Sequence, residues 1–189
     1  MTATETATHY SINPGLSHFT VRAFASGMLS SLGHNPTIAI RGYKGEAVFA
    51  SANLQEASVR ISIPADLLEV ADDVSQKDRT EIETRLKQEV LETSAYPEII
   101  FESSQVTPTT LSENLYAVQV TGNLTLHGVT RAETITAQVT LAGDTLRAFG
   151  ECSIQQTNYG IKLVSVAAGA LKVKDEVKIA FDISARKQG

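Results

Sequence analysis

The sequence predicts an all-β fold with one or two helices, built on an antiparallel sheet that closes into a barrel or packs as a sandwich. Three observations carry this. Apolar and polar side chains alternate with a period of two in about nine segments, each with one dry and one wet face. The connections between the segments are short and polar, as barrels and sandwiches require. A single stretch near the middle of the chain carries the helical period instead.

The segments follow in order. Phe19, Val21 and Ala23 alternate with His18, Thr20 and Arg22. Ile38 and Ile40 lead into an expected turn at Gly42–Gly45, then Ala47 and Phe49 resume the alternation. Ala57, Val59, Ile61 and Ile63 oppose Ser58, Arg60 and Ser62. The helix is expected from Gln76 to Glu92: Ser75 with Asp78 makes an approximate capping box, and Ile82, Leu86 and Val90 form a narrow apolar stripe. Glu81–Arg85 and Glu83–Lys87 are favourable i, i+4 pairs. Pro97 ends the helical region, and Ile99 and Phe101 open the next strand.

Strands then succeed one another. Tyr116, Val118, Val120, Leu124 and Leu126 share a face, opposite Gln119, Thr121, Asn123 and Thr125. Ile135, Ala137, Val139 and Leu141 oppose four polar residues, and Leu146, Ala148, Gly150, Cys152 and Ile154 form another set. The last set is Val177, Ile179, Phe181 and Ile183. Between two of these strands, LHGVTR (Leu126–Arg131) reads as a hairpin connection: His127 continues the wet phase and Gly128 supplies the turn. A ligand contact from His127 or Arg131 is the alternative.

With 189 residues the chain is expected to form a single domain over residues 1–189, with 1–8 as a flexible tail. A net charge of -5 argues against a general nucleic-acid binder, since phosphate binding needs a clustered positive field. No apolar run approaches the roughly 20 residues of a membrane span. MTATETATHYS lacks the basic start and apolar core of a secretory signal, so a chain beginning at Met1 is expected in the cytoplasm.

Catalytic and metal-binding signatures are weak. His9, His18, His34 and His127 show no ligand spacing, and no metal or cofactor is expected. No GxSxG elbow or glycine-rich phosphate loop occurs. The lone Cys152 reads as a small apolar strand residue, and Asp72, Asp73 and Asp78 as charges favoured by a helix start. No catalytic residue is assigned.

Three segments are more specific: YPEIIFESSQV (Tyr96–Val106), VTGNLTLHGVTRAETI (Val120–Ile135) and GECSIQQTNYGI (Gly150–Ile161). Together with KDRTEIETRL, HYSINPGLSHFTVRAF and DEVKIAFDISA, they resemble the YceI-like family of lipocalin-like proteins over nearly the whole chain. The resemblance implies an extended antiparallel eight-stranded barrel around a long apolar channel, and non-catalytic binding of a long-chain isoprenoid or other lipid-like amphiphile. Many relatives are periplasmic and carry a signal, whereas none is expected from MTATETATHYS. The family often has Arg-Ser-Asp before its Tyr/Phe-Gly; here Gln156, Thr157 and Asn158 take those places, and neutral groups replace an ion pair.

On that basis the expected ligand-lining residues are Phe19, Val21, Val59, Ile61, Ile63, Phe101, Val118 and Val120. Arg41, Arg79 and Tyr159 are the expected polar contacts, with His34 in the SLGHNP turn if the barrel mouth lies there. The partners implied are the isoprenoid or amphiphile and, left open, a second copy of the chain as a homodimer. Two other classes stay in play: a small hydrolase or isomerase acting on an amphiphile, and a filled barrel that serves as a structural or interaction module.

Overall fold

Backbone hydrogen-bonding groups on a sheet edge need partners, and here the sheet supplies them by closing on itself. The computed structural model describes residues 7–27, 35–49 and 56–188. In chain order, β1 (Thr8–Ile12) and β2 (His18–Arg22) continue one another across a 3-10 turn at Pro14–Leu16, and the two-residue β3 (Ala25–Ser26) follows. β4 (Thr37–Ile40) with β5 (Lys44–Phe49), and β6 (Ser58–Pro64) with β7 (Leu68–Val70), repeat the pattern of one strand broken in two. After the helical segment come β8 (Glu98–Ser112), β9 (Leu115–Leu126), β10 (Val129–Ala142) and β11 (Thr145–Gln155). The short β12 (Ser165–Val166) and β13 (Leu171–Val173) precede β14 (Glu176–Lys187).

The order β1-β5-β6-β8-β9-β10-β11-β14 closes because β14 returns to β1, with Ile12 opposite Ala185. The result is the expected eight-stranded antiparallel barrel, not a sandwich. Further along β14, Phe181 faces Phe19 of β2, and the row β2-β4-β7 extends the wall at one end. β3, β12 and β13 form a separate small sheet. Thr8 already pairs with Phe49, so the strand begins within the expected tail; residues 1–6 lie outside the described residues.

Alternation sorts the two faces. Ile61 lies opposite Phe101, and Val120 opposite Ile135, inside the barrel. On the wet face, Thr121 and Thr134 are 3.1 Å apart and Thr125 and Thr130 2.8 Å, pairing hydroxyls across β9 and β10.

The expected Gly42–Gly45 turn is not a hairpin. β4 and β5 run in the same direction, and the glycines mark a kink where neighbours press close. A Cβ at Gly45 would lie 2.4 Å from Ile12 Cδ1, and one at Gly42 2.4 Å from Leu67 Cδ1.

The helix α1 (Gln76–Arg85) begins where the sequence places it: Ser75 Oγ accepts the Asp78 N–H at 3.1 Å. It continues as a π-helical turn over Leu86–Val90, with the Leu91 N–H donating to the Leu86 carbonyl. Four-residue spacing overshoots an α-helical turn by about 40°, so the stripe Ile82, Leu86, Val90 would drift around a regular helix. The wider π turn takes back part of that drift, and all three residues pack on the barrel core. Glu81 and Arg85 pair at 3.4 Å, but Glu83 does not join Lys87 in the expected pair. Its carboxylate instead accepts the Val70 N–H at 3.0 Å, satisfying a donor on β7 at the end of its row. Among the described residues, no helix is long and apolar enough to cross a membrane.

Because Ile82 packs on the core, Ile82→Asp places a charge in an apolar contact. The expected loss is about 1–3 kcal/mol of stability in a denaturant melt. A wild-type midpoint would show that the stripe is not docked.

Candidate functional site

Closing a sheet of medium-sized residues leaves space. The barrel encloses a cavity of about 570 Å³, walled by the dry faces of the barrel strands and by α1. That volume suits a small-molecule site. All eight residues expected to line a channel do line it: Phe19, Val21, Val59, Ile61, Ile63, Phe101, Val118 and Val120. Phe101 is seated by a glycine, since a Cβ at Gly122 would lie 2.7 Å from its ring. Ile82 and Leu86 of the helix complete the wall, so the same stripe docks α1 and covers the cavity.

The polar expectations fare differently. Arg41 is exposed and pairs with Glu69 at 3.2 Å, away from the cavity wall. Arg79 donates to the Val70 carbonyl and, at 2.8 Å, to the Asp72 carbonyl, tying the helix to the end of β7. Neither side chain forms part of the cavity wall. Tyr159 is fully buried behind the wall, its hydroxyl donating to Glu133 Oε1 at 2.6 Å. Burial, then that hydrogen bond and the Glu133 charge, hold its phenol well above the usual range. His34 lies outside the described residues.

Tyr159 and His127 form a latch at the helix end of the barrel. His127 (φ 52°) and Gly128 (φ 72°) make the two-residue turn between β9 and β10, both in the left-handed region of a type I′ hairpin. The ring of His127 does not stay in the wet phase, its side chain being 9% exposed. It lies 4.3 Å from the Tyr96 ring, with Nε2 2.7 Å from Glu92 Oε2 and Nδ1 3.2 Å from the Tyr159 carbonyl. A neutral ring donates to one of these oxygens and an imidazolium to both. The hairpin, the end of the helical segment and the 3-10 turn at Gln156–Tyr159 are thus joined through one side chain. Gly128 has a second constraint: a Cβ there would lie 2.6 Å from the Tyr96 ring.

Of the neutral residues Gln156, Thr157 and Asn158, the first two act as hydrogen-bond donors. Thr157 donates through its N–H (2.8 Å) and hydroxyl (2.5 Å) to Asp175, holding that carboxyl below the usual carboxylate range. Gln156 donates to the Lys174 carbonyl at 2.9 Å and reaches the cavity wall.

Among the wall residues not expected to meet a ligand are two on the barrel strands with ionisable groups, Glu133 and Cys152. Glu133 keeps the inward phase of Ile135, Ala137 and Val139, so a carboxylate on a dry face was the available signal. Cys152 lines the cavity too; burial, then the Glu133 charge, push its thiol up to about 11, which leaves it a poor nucleophile at neutral pH.

A closed antiparallel barrel with an apolar interior and a helix across it is a lipocalin-like barrel protein. The chain belongs to the YceI-like family, whose domain model matches residues 8–185. Solved structures agree in fold. Burkholderia cenocepacia BcnA superposes with a TM-score of 0.70 at 18% identity, over 92% of this chain and 98% of that one. A polyisoprenoid binding domain from Saccharophagus degradans gives 0.66 at 15% identity, over 95% and 98%. The Campylobacter jejuni YCEI protein gives 0.63 at 13%, over 83% and 88%. No curated protein matches the chain.

The latch makes a direct prediction. His127→Ala removes two hydrogen bonds and a ring contact at once. It is expected to cost about 1–3 kcal/mol in a denaturant melt. An unchanged midpoint would mean the latch does not hold the hairpin to the helix.

Proposed function

We propose that this protein binds the tail of a long-chain isoprenoid or similar lipid-like amphiphile inside the barrel, without catalysing a reaction on it. The observation that carries the reading is the cavity wall: aliphatic and aromatic side chains from the barrel strands and helix surround one space of about 570 Å³. Hydrocarbon burial alone can supply the affinity. One isoprene unit of five carbons contributes on the order of 2–4 kcal/mol before ordering costs. Several units therefore bind tightly without a dedicated charged anchor.

Fold similarity to a domain described as polyisoprenoid binding supports an isoprenoid tail in particular. An interior cavity also weighs against a filled barrel acting only as a structural module. The hydrolase or isomerase reading needs a nucleophile and base poised together; the high thiol pKa of Cys152 weighs against its serving as that nucleophile.

Ile61 faces the cavity and is 8% exposed. Ile61→Trp is expected to project into and narrow the space and to weaken binding of a long-chain isoprenoid at least about tenfold, with the fold retained. Titration with the isoprenoid and a denaturant melt on the same variant check this. Unchanged binding in a folded variant would remove the cavity from the function.

A further inference from the structure

The charged side chains on the cavity wall, among the described residues, are Asp78, Glu81, Glu133 and Arg85. Three are acidic and one is basic. Arg85 is not available to a ligand as an unshared cation, since it lies 3.4 Å from Glu81 and 3.3 Å from Glu89. Asp78 accepts the Ser75 hydroxyl at 2.7 Å at the helix start. Glu133 differs from these. It rises from a barrel strand into an apolar wall, and its one hydrogen bond among the described residues comes from the Tyr159 hydroxyl. Arg131, two residues earlier on the same strand, is exposed and stays off the wall.

These groups share one end of the barrel. Asp78, Glu81 and Arg85 belong to α1, and Glu133 connects through Tyr159 and His127 to Glu92 just beyond the helical segment. The rest of the wall is predominantly hydrocarbon. A tail lying in the cavity therefore leaves its head group facing this acidic end or pointing away from it.

We infer that this end selects the head group: the ligand is an amphiphile with an alcohol or amine head, a hydrogen-bond donor without negative charge, and not a phosphate or carboxylate. The inference rests on the tail-binding reading above. A carboxylate in an apolar wall accepts hydrogen bonds and attracts a cation, and it repels an anion more strongly there than in water. A diphosphate head would meet the carboxylates of Glu133 and Asp78, while Glu81 and Arg85 are already paired, so no unshared cation among the described wall residues is left to hold it.

The test uses four ligands sharing a tail of four isoprene units, with amine, alcohol, carboxylate or diphosphate heads, titrated into the intact protein at neutral pH. The expected result is that the amine and alcohol bind at least about tenfold more tightly than either anion. Glu133→Gln is expected to reduce the amine's advantage over the diphosphate several-fold while leaving the alcohol within a few-fold. Glu81→Gln, at an exposed helix position that folding tolerates, is expected to act in the same direction. Equal binding of all four heads, tightest binding of the diphosphate, or no change of the ratio in either variant would overturn head-group selection and leave tail binding standing. If none of the four binds, the tail-binding reading falls as well.

Discussion

A strand with one dry face and one wet face cannot be satisfied alone, and nearly every long strand of this chain is of that kind. The dry faces must meet, and the edges must pair. One closed barrel meets both demands, with β14 returning to β1. Valine, isoleucine, leucine and alanine predominate on the inner face, and the chain contains no tryptophan. Side chains of that size line the barrel without filling it, so the cavity follows from the same residues that build the wall.

The helix extends this logic. β7 ends the β2-β4-β7 row, and Glu83 and Arg79 satisfy its Val70 N–H and carbonyl while Ile82 and Leu86 cover the cavity. Beyond the π turn, Glu92 meets His127, and His127 meets Tyr159, whose hydroxyl reaches Glu133 on the wall. A chain of hydrogen bonds thus links the end of the helical segment to a carboxylate lining the cavity. Substitutions in the turn at His127 and Gly128 would be felt at the wall through that chain.

The architecture was legible because period two survives in long strands. Val59, Ile61 and Ile63 point inward for the same reason they alternate with Ser58, Arg60 and Ser62. Strands of two or three residues, such as β3 and β12, are too short to show a period. The wall residues were readable by phase, but the partners of polar side chains were not. Arg41, Arg79 and Glu83 take partners at Glu69, Val70 and Asp72, which only the folded chain brings to them. His127 shows both sides. Its hairpin was visible in the sequence, whereas its burial between Tyr96 and Glu92 depends on where the helical segment ends.

The central claim is that the barrel interior exists to hold a long apolar tail. Mass spectrometry of the purified protein under native conditions, followed by organic extraction of the same sample, tests it most directly. The account predicts a bound long-chain amphiphile, or uptake of an added long-chain isoprenoid at one per barrel. A protein that carries no such molecule and takes up none when offered would contradict it.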